Sequence, residues 1–374
     1  MRVLIVITKG EIGGAQTHVL ELCRMLRREC EFRVMVGDAG NSPLGRELSA
    51  IGVPVDVVPG MSNESSIPAF MACVRQVAAI ARTWHADLIH VHSAVGALVG
   101  RLAGLMSGRQ VVYTVHGFGF KPQVAAKRRW AVYLAERLLV RLTAKYICVS
   151  DAERQLATKL GVPGGEVSVI ANGLRDSHWR AEPEAVDPVL IMVARAVRPK
   201  RHDLLLRALA VMQDKGIAAP RTIFAGSGPL LPAARAMAEK LGLPGVSFLG
   251  DVDEVPRLLA SSHIFALLSD HEGQPISVIE AMRAGLPILA SDLPGIRTQI
   301  TDGVEGLLTA NDPEAVALSI GRLMGDRQLR TRMAAAARRR YERDFSAATM
   351  AHAVMQVYGS LASAQPCGAR PPVM

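Results

Sequence analysis

The chain has 374 residues, 49% of them hydrophobic and 21% charged, with a net charge of +9. That is too long for one ordinary core and too apolar for a disordered chain, so two domains are expected. Five scattered cysteines without CxxC or Cys/His spacing argue against a disulfide scaffold and a zinc module, and suit a reduced, cytoplasmic protein. The aromatic share, 4%, is too sparse for a single-strand nucleic-acid reader.

The first segment, RVLIVIT, is a continuous apolar run that ends in the turn GEIGGAQ and then the helix-spaced HVLELCRMLRR. Its apolar run is too short for a leader, so it reads as a buried first strand. The turn carries Gly13 and Gly14 but lacks the third glycine of a dinucleotide fingerprint, so no bound cofactor is expected. The runs FRVMVG, VPVDVVP, DLIHVHS, QVVYTVHG and KYICVSD follow between helical stretches. Such runs with little alternation are the mark of a buried parallel sheet. In DLIHVHS, His90 and His92 alternate on one strand; without carboxylate or thiolate partners they are a weak metal signal, and His92 could line an acceptor side. AVGALVGRLAGLM is the best candidate for a membrane span, and Arg101 interrupts it short of the roughly 18 residues needed. His116 ends the next strand between glycine-rich turns, a strand-end position that suits a substrate role.

Residues 121–145 hold the basic surplus: Lys121, Lys127, Arg128, Arg129, Arg137, Arg141 and Lys145 against one acid, Glu136. Helical spacing would place Trp130, Leu134, Leu138 and Leu142 on one stripe, and Arg137, Arg141 and Lys145 on the next. A basic amphipathic helix of this kind can lie in a membrane interface, or be a core helix with snorkelling arginines; we take peripheral membrane contact as the expectation. Asn172 and Gly173 read as a turn near a hinge.

The polar stretch AEPEAVDP suggests a linker, so the boundary is expected at 183/184. VLIMVARAVRPKRHDLLLRALAVM then repeats the strand–loop–helix opening and begins a second parallel domain, 184–345. Its first loop holds Arg195 and Lys200, two cations suited to a diphosphate, whereas Arg198 and Arg201 read as solvated. Gly226 and Gly228 in AGSGPL are either a close-approach device or an ordinary turn.

SDHEGQPISVIEAMRAGLP carries the densest signal. Pro275 would be the first residue of a helix and Gly285 its terminator, with Glu272 before it and Glu280 inside it. Eight residues at helical rise span about 12 Å, of the order of the distance from ribose to sugar in a nucleotide diphosphate sugar. The chain closes with a helix, a break at 344–346, a helix to about 362, and a tail, 363–374, that reads as disordered.

Taken in order, the Gly13–Gly14 turn, DLIHVHS, VYTVHGF, CVSDAE, VIANG, the Arg195 to Lys200 spacing, GSGP, FLGD and the Glu272 to Glu280 spacing resemble glycosyltransferase family 4. The resemblance runs to about residue 362. It implies the retaining GT-B architecture: two Rossmann-like doubly wound α/β domains facing a cleft, with 1–183 on the acceptor side and the helix of 346–362 returning to it. It implies that Glu280 holds the ribose and that Arg195, Lys200 and Gly14 hold the diphosphate of a nucleotide sugar; we take that donor to be UDP-linked. Glu272 with the amides of Gly273, Gln274 and Pro275 would hold the sugar, and His116 would approach that sugar from the other domain. His92 and Lys121 would stand on the acceptor side, and no metal is implied. The implied acceptor is a glycan or lipid-linked glycan of cell-surface polysaccharide synthesis, reached at the inner face of a membrane. A GT-B sugar-nucleotide epimerase or hydrolase, or an idle nucleotide-sugar-binding subunit, are the alternative readings.

Overall fold

A computed structural model describes residues 1–11, 13–37, 42–62, 65–120 and 126–362. Lys121 and the tail 363–374 lie outside the described residues. The chain divides into two compact units, 1–173 with 347–374, and 174–346.

The first unit alternates strand and helix: β1 (Arg2–Ile7), α1 (Gly14–Leu26), β2 (Glu31–Val36), α2 (Pro43–Ala50), β3 (Val55–Val57), α3 (Ile67–Thr83), β4 (Leu88–His92), α4 (Ala94–Ser107), β5 (Gln110–Val115), α5 (Ala126–Leu139), β6 (Lys145–Cys148), α6 (Asp151–Lys159) and β7 (Val167–Val169). The seven strands form one sheet, β3-β2-β1-β4-β5-β6-β7, in which every pair is parallel. Val3 to Ile7 of β1 and all of β4 are buried, because helices cover both faces of a parallel sheet.

The second unit holds β8 (Leu190–Val193), α7 (His202–Asp214), β9 (Thr222–Ala225), α8 (Leu231–Lys240), β10 (Val246–Gly250), α9 (Val255–Ala260), β11 (Ile264–Leu267), α10 (Ile276–Ala284), β12 (Ile288–Ser291), α11 (Pro294–Arg297), β13 (Gly306–Thr309), α12 (Pro313–Gly325) and α13 (Arg327–Asp344). Its six-stranded sheet is ordered β10-β9-β8-β11-β12-β13, again parallel. The last helix, α14 (Ala347–Ala362), packs in the first unit, where Met350, Val354, Tyr358 and Leu361 join Val19, Leu22 and Leu26 of α1 in one core.

The boundary falls at Gly173/Leu174, ten residues before the one read from composition. The Pro-punctuated stretch is not a linker because the second unit claims it. Arg330, itself buried, donates from Nε to the carbonyl of Pro183 at 2.9 Å and from Nη2 to that of Ala185 at 2.7 Å. The amide of Ala181 donates to the carbonyl of Ala284 at 2.8 Å.

The basic helix also differs from its sequence reading. α5 stops at Leu139, Val140–Leu142 form a single 3-10 turn, and Lys145 begins β6, where its ammonium donates to the Gly165 carbonyl at 2.6 Å. The apolar stripe is therefore Trp130, Leu134 and Leu138, exposed by 65, 57 and 73%. The inner face is anchored by Glu136, whose carboxylate takes Nη1 of the fully buried Arg101 at 2.8 Å. Arg101 also donates to Thr143 Oγ1 at 2.9 Å and lies 4.6 Å over the Tyr113 ring. The arginine that interrupts the apolar run in the sequence thus fastens α5 to the core. Among the described residues no helix is long and apolar enough to cross a membrane.

Candidate functional site

In the second sheet the strand order reverses between β8 and β11, and open α/β sheets bind ligands beyond the strand ends at such a point. The loops after these two strands carry Arg195 with Lys200, and Glu272. They are stitched together by backbone: Lys200 and Ser269 form an antiparallel bridge, the Asp270 amide donates to the Pro199 carbonyl at 3.0 Å, and the Arg201 amide to that of Leu268 at 2.9 Å. Lys200 Nζ donates to the Glu272 carboxylate, and both side chains are largely buried, 17 and 10% exposed. Two residues assigned separately from sequence form one ion pair.

Arg201 is not a solvated bystander, as its sequence context suggested. Its guanidinium donates to Asp270 at 2.9 Å and to Asp203 at 3.0 Å, clamping the same two loops, while Arg198 reaches Asp270 at 3.2 Å from an exposed position. The hydrogen bond to Asp203 raises the Arg201 guanidinium further above its usual value. Arg195 is exposed on its loop.

The glycines of AGSGPL are a close-approach device. Gly226 and Gly228 take φ of +126° and +155°, and a Cβ on them would lie 2.3 Å from the Ala194 carbonyl oxygen and 2.5 Å from that of Ala196. Their turn carries the Arg195 loop, with the Ala196 amide donating to Ser227 at 2.9 Å and the Leu230 amide to Ala196 at 2.9 Å.

Beneath Glu272 lies a polar floor absent from the sequence reading. The Ser269 amide donates to Ser291 Oγ at 2.9 Å, Ser291 Oγ to Asn311 Oδ1 at 2.5 Å, and Asn311 Nδ2 back to the Ser269 carbonyl at 2.8 Å. Gly295 abuts the loop so closely that a Cβ there would lie 2.3 Å from the carbonyl oxygens of both Glu272 and Gly273. Ser291, Gly295 and Asn311 lie 19, 23 and 39 residues beyond Glu272, with no local pattern to reveal them.

α10 begins at Ile276, one residue later than expected, with Pro275 as its N-cap. Pro275 has no amide hydrogen, and its carbonyl accepts from Gln299 Nε2 at 3.1 Å, so it cannot be a donor to a ligand. No side chain caps the α10 N-terminus and no acid occupies its first turn. Gly273, Gln274 and Ile276 carry the backbone N–H groups on either side of Pro275. Gln274 itself is buried. Glu280 is half-buried on α10 and has no hydrogen bond or ion pair among the described residues. Burial raises its carboxyl above the ordinary value of 4.5, with nearby Arg283 opposing. A groove of about 590 Å³ elsewhere in this unit, lined by Arg235, Leu243 and Phe248 beside the edge strand β10, includes none of these residues.

The remaining candidates belong to the first unit. The first sheet reverses its order between β1 and β4. Gly14 is the first residue of α1, behind Gly13, whose carbonyl takes both the amide and the hydroxyl of Thr17 at 3.0 and 3.1 Å. His116 is half-buried just past β5, with Nε2 3.1 Å from Nδ1 of His92. His92 is fully buried, so it does not line an acceptor surface; it stands behind His116. Asn172 is likewise more than a turn residue: buried, it meets Nδ1 of the buried His18 at 2.9 Å. Burial pushes His18 down to about 4 and His90, His92 and His116 well below the usual imidazole range, so all four rings are neutral at pH 7. Glu153 supports the loop after His116 by accepting the Phe118 amide at 3.1 Å. Among the described residues no group of three His, Cys, Asp or Glu side chains is arranged to hold a metal ion.

Two parallel-sheet Rossmann-like units, one carrying a cation–carboxylate pair at its switch point, define a protein of the GT-B class. Residues 12–178 match the family described as Glycosyltransferase Family 4, and residues 176–340 match Glycosyl transferases group 1. The chain is 30% identical over 278 residues to a Bacillus subtilis (strain 168) protein, EpsD, described as a glycosyltransferase, across 68% of this chain and 72% of the relative. An Escherichia coli UDP-Gal:alpha-D-GlcNAc-diphosphoundecaprenol alpha-1,3-galactosyltransferase is 26% identical, across 65% of this chain and 67% of its own. The Anabaena Alr3699/HepE structure in complex with UDP and glucose superimposes with a TM-score of 0.84 at 22% identity, across 96% of this chain and all of that one. The chain belongs to glycosyltransferase family 4.

Proposed function

We propose that this glycosyltransferase moves a hexosyl group, with retention, from a UDP-sugar to a glycan or lipid-linked acceptor in cell-surface polysaccharide synthesis. The observation that carries the reading is the Lys200–Glu272 pair at the reversal of the second sheet, with the carboxylate of Glu280, unpaired among the described residues, on the helix that follows. Glu280 takes two ribose hydroxyls, since an ionised carboxylate accepts bidentate hydrogen bonds. Lys200, Arg195, the Gly14 amide and the uncapped N-terminus of α10 offset the diphosphate charge, which leaves no task that requires a metal. Glu272 with the amides of Gly273 and Gln274 orients the sugar, and His116 is the residue of the first unit that acts on it. In the transfer, the bond from the anomeric carbon to the diphosphate oxygen breaks. A bond to the acceptor oxygen forms on the same face, and the acceptor proton passes to the departing diphosphate oxygen.

The donor is supported by the UDP and glucose named in the HepE structure, and the acceptor class by the diphosphoundecaprenol named in the E. coli relative. A panel of nucleotide sugars screened by thermal shift tests the donor. The true donor at about 100 times its Kd stabilises the protein by about 2.7 kcal/mol. The panel result to expect is the largest rise with a UDP-sugar; a rise confined to another nucleotide, or none, sinks the UDP assignment. Donor consumed without acceptor would instead mark a hydrolase or epimerase.

Peripheral placement on the inner face of a membrane rests on α5. Trp130, Leu134 and Leu138 are exposed there beside Lys127 and Arg141, an apolar stripe with flanking cations that suits an anionic lipid surface. Replacing Trp130 and Leu138 by Ser and Arg141 by Glu is expected to release the protein from phosphatidylglycerol vesicles in a flotation assay while leaving its melting temperature near wild type. Retention of the triple variant on the vesicles would refute the membrane face.

A further inference from the structure

Four imidazoles of the first unit, His18, His90, His92 and His116, cluster together, and the proposed transfer uses only one of them. His18, His92 and His116 form a near-equilateral triangle, with ring centroids 5.4, 5.0 and 5.4 Å apart, and His90 lies 4.3 Å from His92. His90 is satisfied at both nitrogens, by the Tyr358 hydroxyl at 2.6 Å and the Thr114 hydroxyl at 2.7 Å. His92 is not. Its Nδ1 meets His116 Nε2 at 3.1 Å, whereas its Nε2 is fully buried with no partner among the described residues.

A neutral imidazole carries one N–H, so the contact between the two rings has a direction. Were the hydrogen of His92 on Nε2, an N–H donor would be buried without an acceptor. With the hydrogen on Nδ1, only a lone pair is left bare. Buried orphan donors are rarer in folded proteins than under-used acceptors, because an N–H has one bond to make and forfeits all of it. Burial keeps both rings neutral, which removes a shared imidazolium as a third arrangement.

We infer that His92 is a positioning residue for His116: its Nδ1–H donates to His116 Nε2, which fixes His116 as the Nδ1–H tautomer and presents that N–H to the substrate as a hydrogen-bond donor. This rests on the reading of His116 as a residue of the transfer reaction. It also narrows that role. A ring presenting N–H can hold a sugar oxygen but cannot take the acceptor's proton, which agrees with a proton that leaves on the diphosphate. The strand pairing enforces the geometry, since β4 and β5 are in register and His92 lies opposite Thr114, two residues before His116.

The test uses the full chain labelled with [15N]histidine. Long-range 1H–15N spectra of the wild type are expected to show His116 with a protonated nitrogen at δ1 and a lone-pair nitrogen at ε2. His92→Leu is expected to lose that pattern and to lower kcat about 10–100-fold with little change in donor KM, the scale of losing an orienting partner. His92→Asn, whose amide nitrogen stands near the place of Nδ1, is expected to keep the pattern and to recover kcat to within about threefold of wild type. A His116 protonated at ε2 in the wild type overturns the inference, and so does His92→Leu with unaltered tautomer and kcat. If His92→Leu does not fold, the wild-type spectrum and His92→Asn decide. His116→Ala at full turnover would remove His116 from the reaction, and with it the positioning role; a wrong tautomer alone leaves the transfer reading intact.

Discussion

Lys200→Met is expected to lower kcat/KM about 10²–10³-fold, the cost of removing one preorganised charge from a site where negative charge develops. The same substitution strips Glu272 of its cation while leaving it largely buried, so stability should also fall, by up to about 3 kcal/mol. The two losses separate in a double-mutant cycle. Lys200→Met with Glu272→Gln leaves no buried charge unpaired and should return the urea midpoint close to wild type. Activity should not return with it. If turnover recovers together with stability, the pair is structural and Lys200 has no part in handling the diphosphate; turnover within threefold of wild type in Lys200→Met would lead to the same conclusion.

For Glu280→Gln the two effects are expected to point in opposite directions. UDP binding should weaken about 10–100-fold by calorimetry, the worth of hydrogen bonds to a charged acceptor. The unliganded protein should become more stable at pH 7. Burial raises the folded-state carboxyl above 4.5, so the native state favours the protonated acid. That contribution is fully present below the unfolded value near 4.5 and is lost as pH rises through the folded value. Wild type should therefore lose stability relative to Glu280→Gln over the window above pH 4.5, and the two should converge below it. Urea denaturation at pH 4 and pH 7 measures this, and an unchanged UDP affinity would take Glu280 out of the ribose role. A residue that costs the empty protein stability and serves the ligand is the expected trade at a binding site.

Both predictions began as local signals. Lys200 and Glu272 each stood out beside a strand end, and the helix carrying Glu280 announced itself through Pro275 and Gly285. The interactions that give them their properties come from distant parts of the chain. Lys200 lies 72 residues from Glu272, and the Ser291–Asn311 floor and Gly295 are contributed by the next two strand–loop units. No periodicity encodes such pairs; they follow from sheet order. The misreadings have the same origin. His92 looked available because alternation says which face of a strand a residue occupies, not what covers it. Arg201 looked solvated because its acid partners are invisible locally, and the Pro-punctuated 181–188 looked like a linker because Arg330 is so far along the chain.

By itself the sequence determined the alternation of strand and helix, the parallel character of both sheets and the residue types gathered at their strand ends. Those depend on hydrophobic period, on glycine and proline, and on charge, all of which act within a few residues. Only the tertiary structure decided which of those residues are paired, buried or open. Strand order brings together loops that chain order keeps apart: it joined Lys200 to Glu272, left Glu280 without a partner among the described residues and set His92 behind His116.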